Sequence, residues 1–200
     1  MSERLLLAVV VLLVALVTGL GLFWNPELPE RPLPAAILPA GGDFTLSSAN
    51  GPVALTDYRG KAVLIYFGYT YCPDICPTSL AATAASLNQL SAEELARVAV
   101  IFISVDPKRD TPARLKEYVE FFHPAIVGLT GTAEEVAEVG RRYGIFYAEQ
   151  KVETAGDGYV VDHSSDTYVI APDGRLVGKL PHGAAAEQVV AEIRKVLNQP

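Results

Sequence analysis

Both cysteines of the chain lie in one ten-residue stretch, Gly68–Pro77 (GYTYCPDICP). An unbroken apolar run, residues 62–67, comes directly before it, and apolar residues at helical spacing follow it. This pattern predicts a buried strand that leads through a thiol-bearing loop into a helix. Thiols beside a helix N-terminus lie in its positive dipole, which favours the thiolate. The stretch therefore points to redox chemistry, to a soft metal, or to both.

Length and composition are those of one folded domain with an appendage. The 200 residues are 50% hydrophobic and 20% charged, which supports a real core and argues against global disorder. The formal net charge of −7 argues against non-specific binding of nucleic acid, which needs a basic surface. The sequence shows no internal repeat and no glycine-rich phosphate loop. We therefore expect no nucleic-acid partner.

The N-terminal segment, residues 1–24, is predicted to be a membrane anchor. Residues Leu5 to Trp24 form a run of 20 without a charge, long enough for one helix to cross a bilayer. A secretory signal has a shorter apolar region and a small-residue cleavage site, and neither is present here. An uncleaved single-pass anchor is thus favoured over a cleaved signal peptide.

Charge at the start of the chain predicts the orientation of this anchor. Arg4 and the α-amino group outweigh Glu3, which favours a cytoplasmic N-terminus and a folded domain on the other side. The segment lacks the Arg- and Ser-rich composition of an organellar transit peptide. We expect a protein of a bacterial inner membrane whose domain faces the periplasm.

Residues 25–42 are predicted to be a linker between this anchor and the domain. The segment contains five prolines, of which Pro26 is the first and Pro39 the last, and two glycines end it. Proline at this density favours an extended, semi-rigid spacer. The folded domain is therefore expected to cover residues 43–200.

Within the domain, hydrophobic periodicity predicts alternating strands and helices. A hairpin is expected around Asn50-Gly51, and helices follow capping patterns at Ser91, Thr111 and Thr132. Strands are predicted at 62–67, 98–105, 145–149, 158–161, 167–170 and 175–180, with a turn at 155–158 and a last helix from about residue 186. This order predicts an α/β domain with a mixed sheet, laid out as a thioredoxin-like fold with an added N-terminal β-hairpin.

The two cysteines are separated by three residues, and two interpretations of them remain open. Outside the cytosol, a structural disulfide is the ordinary role of a cysteine pair. A disulfide that closes so short a loop adds little stability, and a loop at a helix N-terminus exposes and acidifies thiols. Thioredoxin-type oxidoreductases have two intervening residues. The wider spacing still permits a disulfide, and it also lets both sulfurs face one soft ion such as Cu(I).

Two thiolates need a third ligand to hold a metal firmly, and the chain has three histidines. His123 is expected to cap the end of a helix, and His182 to lie in a surface loop. His163 is predicted in a polar loop before strand 167–170, which faces the cysteine loop in a thioredoxin-like fold. There it would complete a site of two sulfurs and one nitrogen, with Asp162 or Asp166 orienting the ring. Without the cysteines, an exposed loop histidine would be the better interpretation.

The chain resembles the Sco/SenC family of copper proteins. The resemblance is carried by Tyr71–Pro77, Ser104–Pro112, Gly128–Gly131, Asp162–Ser164 and Tyr168–Gly174, which span most of the domain. The pairing of a proline-flanked Cys-x-x-x-Cys with a distant Asp-His is specific, whereas either half alone would be weak. Asp166 is more polar than the residue found in many relatives, which leaves the ligand residues unchanged.

This resemblance implies a membrane-anchored copper chaperone that loads the binuclear copper site of cytochrome c oxidase subunit II. It implies Cys72, Cys76 and His163 as ligands of Cu(I) or Cu(II), with an unidentified copper donor and an unidentified thiol reductase as partners. A Cys72–Cys76 disulfide would block loading, because copper needs deprotonated, reduced thiols. Such a chaperone is not an enzyme in the ordinary sense.

Three alternatives remain on sequence grounds. A thiol–disulfide reductase that keeps the oxidase cysteines reduced would use Cys72 and Cys76 as a redox-active pair without needing His163. A peroxide-reducing thiol enzyme suits the fold, but its usual surrounding motif is absent. A site of two cysteines and one histidine with an open position also suits zinc.

Overall fold

The structure is a computed structural model that describes residues 3–23, 38–152 and 158–198. The chain divides into two compact units, Met1–Ile37 and Leu38–Pro200. Two predicted segments are only partly described. Residues 25–37 of the predicted linker, 25–42, and residues 155–157 of the predicted turn, 155–158, lie outside the described residues.

The first unit contains helix α1 (Glu3–Phe23), which covers most of the predicted apolar run. Its large apolar side chains from Leu5 to Val17 are exposed. A search of the described part of the chain finds no helix with the length and hydropathy required to cross a membrane. The predicted membrane-spanning helix is therefore not supported.

The second unit alternates strands and helices as predicted. Its elements are β1 (Thr45–Ser48), β2 (Gly51–Ala54), a 3-10 turn (Leu55–Tyr58), β3 (Ala62–Gly68), α2 (Ile75–Leu87), α3 (Ala92–Ala96), β4 (Val98–Ser104), α4 (Pro112–Phe122), β5 (Ile126–Leu129), α5 (Ala133–Tyr143), β6 (Tyr147–Lys151), β7 (Tyr159–His163), β8 (Thr167–Ile170), β9 (Leu176–Leu180) and α6 (Ala186–Leu197).

A five-stranded mixed sheet in the order β5-β4-β3-β8-β9 forms the centre of this unit. Strands β3, β4 and β5 are parallel, while β8 runs antiparallel to β3 and β9 antiparallel to β8. Every residue of β3 and β4 is buried, as expected for parallel strands covered on both faces. The predicted α/β class and mixed sheet are confirmed. Strand β5 was not predicted, because its four residues carry no alternation that distinguishes them from a loop.

The capping patterns mark the helices correctly. Ser91, Thr111 and Thr132 each accept a hydrogen bond from a backbone amide in the first turn of α3, α4 and α5. The predicted N-terminal hairpin is also present: β1 and β2 pair with Ser48 opposite Gly51. The two-residue turn is thus Ala49-Asn50, one position earlier than predicted.

The second hairpin, β6–β7, forms a two-stranded sheet of its own. Both strands begin later than predicted, and β7 extends to His163, which pairs with Tyr147. In the described residues, no strand of the central sheet pairs with β6 or β7. Other contacts must therefore place this hairpin against the domain, and the position of His163 depends on them.

Core packing is tested by two matched phenylalanine substitutions. Phe102 in β4 is fully buried between Tyr66 and Tyr118, whereas Phe121 on α4 is 84% exposed. We expect Phe102→Ala to lower the free energy of unfolding by about 3–5 kcal/mol and Phe121→Ala by less than about 0.5 kcal/mol. Urea unfolding of the full chain, followed by circular dichroism, measures both. Equal losses for the two variants would contradict the burial described here.

Candidate metal centre

The cysteine loop joins the end of β3 to the start of α2. Strand β3 ends at Gly68, and α2 begins at Ile75 with Asp74 as its N-cap. Cys72 lies in the loop and is half-buried, and Cys76 lies in the first turn of the helix with no exposed surface. Neither cysteine is in a disulfide. The expectation that the loop exposes both thiols is therefore wrong for Cys76.

Gly68 makes room for the buried sulfur. A Cβ atom at this position would lie 2.6 Å from Cys76 Sγ and 2.9 Å from Cε2 of Phe102. Any side chain would displace the thiol or the aromatic ring, since real Cβ atoms do not approach neighbours so closely. Glycine at the end of β3 is therefore a requirement of the site.

His163 enters the site from β7. It was predicted in a loop, but the strand continues through it and the loop comprises Ser164–Asp166. Only three residues separate it from β8, which pairs antiparallel with β3. The C-terminal end of β7 is thereby held near the end of the strand that leads to the cysteines.

The three predicted ligands converge. Nε2 of His163 lies 3.3 Å from Sγ of Cys76, and the backbone amide of Cys76 lies 3.4 Å from Sγ of Cys72 and donates to it. One ligand atom from each of the three residues lies within 4.8 Å of the other two. Two sulfurs and one nitrogen in this arrangement suit a soft cation such as Cu(I), and the imidazole makes Cu(II) acceptable as well.

The imidazole is oriented by the backbone rather than by a carboxylate. Its Nδ1 lies 2.8 Å from the carbonyl oxygen of Ser164. A carbonyl only accepts hydrogen bonds, so Nδ1 carries the proton and Nε2 presents its lone pair to the sulfurs. The predicted role of Asp162 or Asp166 is not found: Asp162 is exposed, and Asp166 pairs with Lys179 at 2.6 Å.

Two tyrosines restrict the ring further. Tyr66 and Tyr69 lie edge-to-face with it, at centroid distances of 6.2 and 5.8 Å. The hydroxyl of Tyr69 also accepts a hydrogen bond from the amide of Val161, at 3.2 Å. The loop that carries the cysteines is thereby joined to the strand that carries the histidine.

The pKa values of the two thiols are shifted in opposite directions. The hydrogen bond with Cys76 lowers the pKa of Cys72 to about 3 against the effect of burial, and hydrogen bonds from the backbone amides of Asp74 and Cys76 contribute. The same hydrogen bond, together with burial, raises the pKa of Cys76 well above its ordinary value. Without metal, the pair therefore holds one thiolate, on the more accessible sulfur.

An open groove of about 620 Å³ leads to these side chains. Cys72 and His163 lie on its wall with the apolar residues Ile75, Val160 and Phe146, the last of which is 66% exposed. Asp74 and Asp162 supply its carboxylates. The groove gives an incoming ligand direct access to Cys72 and His163, while Cys76 lies behind them.

The other two histidines lie elsewhere, as predicted. His123 is the C-cap of α4, and its Nδ1 accepts from the amide of Ala125 at 3.1 Å. His182 is exposed in the loop before α6, where its Nδ1 lies 2.9 Å from Oγ of Ser79. The bond to Ser79 was not foreseen.

Sequence reasoning missed the residues that hold the cysteine loop in place. The buried carboxylate of Asp110 accepts from the amide and hydroxyl of Thr70, at 3.0 and 2.6 Å, and from Ser104 Oγ at 2.7 Å. Arg109 stacks over the rings of Tyr71 and Tyr159. The only signal in the sequence was the concentration of charge in Ser104–Pro112, directly after a buried strand.

The SCO1/SenC family profile matches residues 35–198. The bovine protein named SCO2 homolog, mitochondrial, is 43% identical over 156 residues, which are 77% of this chain and 58% of the bovine protein. The chain thus corresponds to little more than half of that relative's length. A SCO2-like protein of Rickettsia conorii is 38% identical over 178 residues, covering 84% of this chain and 86% of the relative.

Solved structures share the fold. The crystal structure of Arabidopsis thaliana ScoI with copper bound has a TM-score of 0.74 and 36% identity, and covers 80% of this chain and 99% of the other. This agreement confirms the thioredoxin-like fold of the second unit.

The acidity of Cys72 predicts an unusual pH profile of alkylation. Because the thiolate is already formed at neutral pH, iodoacetamide should modify Cys72 at a nearly constant rate from pH 8 to pH 5, slowing only toward pH 3. The measurement uses reduced, metal-free protein and mass spectrometry, and Cys72→Ser should abolish the fast reaction. A wild-type rate that falls about tenfold per pH unit between pH 8 and pH 6, as for an ordinary thiol of pKa about 8.5, would contradict it.

Proposed function

Because the chain belongs to the SCO1/SenC family, we propose that it carries copper on Cys72, Cys76 and His163 and delivers it during assembly of cytochrome c oxidase. The observation that carries this proposal is the convergence of two sulfurs and one imidazole nitrogen, all within 4.8 Å, beside an open groove. The copper-bound ScoI structure of Arabidopsis thaliana, 36% identical to this chain, supports copper as the metal.

Loading depends on the protonation and redox state of the two sulfurs. Copper bonds to thiolates, so binding releases the remaining thiol proton of the pair, and a Cys72–Cys76 disulfide would prevent binding. The tautomer of His163 is already the one a metal requires, because Nδ1–H donates to Ser164. Little rearrangement of these side chains is needed.

Delivery depends on the small number of ligands. Three protein ligands leave the ion open to attack from the groove, so ligands of an acceptor can replace Cys72, Cys76 and His163 in turn. The resemblance implies the binuclear copper site of oxidase subunit II as that acceptor. Copper is the cargo here, and it leaves the protein when its bonds to the sulfurs are exchanged.

Thiol–disulfide reduction is the second candidate function, and the free cysteine pair, with Cys72 on the wall of the groove, favours it. The Cys72 thiolate would attack a substrate disulfide, forming a mixed disulfide and releasing one substrate thiolate. Cys76 would then close the Cys72–Cys76 disulfide and release the second. This reaction does not require His163, whereas copper binding does, and the two functions can be separated on that basis.

We expect His163→Ala to weaken Cu(I) binding by at least about 100-fold, more than the loss of a residue that merely supports a ligand. Competition against a chromogenic Cu(I) chelator, with the reduced, detergent-solubilised full chain, measures the affinity. His182→Ala is the matched control, because that exposed imidazole bonds to Ser79. The Cu(I) affinity of this variant should equal that of the wild type.

Unchanged copper affinity in His163→Ala would overturn the three-ligand site. Zinc must compete in the same titration, because it also accepts two cysteines and one histidine. Robust turnover of a disulfide substrate by metal-free protein, together with weak copper binding in wild type, would establish the reductase instead.

We also propose that the protein is held in a bacterial inner membrane with its copper domain in the periplasm. The basis is the sequence alone, namely the uncharged run from Leu5 to Trp24 and the positive charge of Arg4 before it. No helix in the described residues meets the requirements of a membrane span, so this location depends on the experiment. We expect the protein to remain in the membrane pellet after alkaline carbonate extraction, and protease to remove the domain in spheroplasts but not in intact cells. Recovery in the cytosolic fraction would refute this location.

A further inference from the structure

The guanidinium of Arg109 lies between the element that carries Cys72 and the element that carries His163. Its carbon is 4.6 Å from the ring centroid of Tyr71, the neighbour of Cys72, and 3.7 Å from that of Tyr159, the first residue of β7. Its Nη1 also donates to the backbone carbonyl of Tyr159 at 3.1 Å. One side chain thus contacts both halves of the site.

The buried carboxylate of Asp106 fixes the guanidinium in this place. Asp106 is 2% exposed, accepts from Nε of Arg109, and accepts from the hydroxyl of Tyr159 at 3.0 Å. Arg109 itself is largely buried, with 11% of its side chain exposed. A planar, charged group held by a buried carboxylate between two rings has little freedom to move.

The hairpin that carries His163 depends on such contacts. Strand β7 pairs with β6 and, in the described residues, with no strand of the central sheet. Its C-terminal end is held by the short connection to β8. Its N-terminal end contacts the domain through Tyr159, and therefore through Arg109 and Asp106.

We propose that Arg109 is a positioning residue that sets the distance between the imidazole of His163 and the sulfurs of Cys72 and Cys76. None of the contacts described for Arg109 is with Cys72, Cys76 or His163, and it acts through β7. The inference rests on the proposed copper function, although its geometric part is measurable without metal.

Arg114 offers a matched control. Its guanidinium carbon also stacks on Tyr71, at 4.2 Å, and its Nε donates to Oγ1 of Thr70 at 2.7 Å. It therefore supports the cysteine loop as Arg109 does, but its stacking and hydrogen-bond partners lie in that loop and not on β7. Lysine at either position keeps the charge and loses the planar group.

The test is a double-mutant cycle of Cu(I) affinity in the full chain. Arg109→Lys should weaken copper binding by about 10- to 100-fold, as is usual for residues that orient a ligand. In the His163→Ala background, the same substitution should change the affinity less than about twofold, because no imidazole remains to be positioned. Arg114→Lys should have the same effect in both backgrounds.

Three further measurements separate positioning from a merely structural role. The thiolate-to-Cu(II) absorption and the electron paramagnetic resonance spectrum of Arg109→Lys should shift toward those of His163→Ala, while Arg114→Lys keeps the wild-type spectra. Urea unfolding of each variant identifies any general loss of stability. Tyr159→Leu, which removes the ring from the other side of the same contact, should reproduce the Arg109→Lys spectra.

An undiminished effect of Arg109→Lys in the His163→Ala background would overturn the proposal, as would wild-type affinity and spectra in Arg109→Lys. A measurement on metal-free protein distinguishes failure of the positioning proposal from failure of the copper function. The nuclear Overhauser contact between the His163 ring and the Cys76 β-protons should be present in wild type and Arg114→Lys and absent in Arg109→Lys. That result would support positioning by Arg109 even if the protein carried no copper.

Discussion

The approach of His163 Nε2 to Cys76 Sγ, at 3.3 Å, is the contact on which the rest of the site depends. It joins a buried helical residue to the end of a hairpin 87 positions later in the chain. Gly68 makes the contact feasible by leaving space for the sulfur of Cys76. The carbonyl of Ser164 makes it feasible by fixing the tautomer of the His163 imidazole. Neither residue would be a ligand, yet each determines whether the ligands meet.

The segment Ser104–Pro112 explains why a buried strand is followed by so much charge. Asp106 and Asp110 are 2% and 0% exposed, and a buried carboxylate is costly unless it is paired and hydrogen-bonded. Asp110 accepts hydrogen bonds from Thr70 and Ser104, and Asp106 from Arg109 and Tyr159. Asp110 therefore joins the end of the central sheet to the cysteine loop, and Asp106 joins it to β7. Such buried pairs are weak evidence for stability, and here their geometric role is the more direct explanation.

Much of this architecture could be predicted from the sequence, because local patterns determine it. Continuous apolar runs marked β3 and β4, and capping residues such as Thr132 marked helix starts, since both signals lie within a few residues. The convergence of Cys72, Cys76 and His163 could also be expected from residue type and topology. The strand position of His163, the contact of Arg109 with Tyr159 and the role of Gly68 could not. Each depends on the packing of segments far apart in the chain, which periodicity does not encode.

The arrangement of the sulfurs argues for metal transfer over disulfide reduction as the principal task. A reductase needs a nucleophile of moderate acidity, because nucleophilicity falls as the thiol pKa falls below the ambient pH. The lowered pKa of Cys72 and the burial of Cys76 are poorly matched to that task, since the attacking sulfur is weakened and the resolving thiol holds its proton. For a metal ion the same features are useful: a ready thiolate faces the groove, and the second sulfur is ionised only when a cation displaces its proton. The imidazole of His163 lies beside Cys76 and is oriented by Ser164. It has an evident purpose in metal binding and none in disulfide reduction.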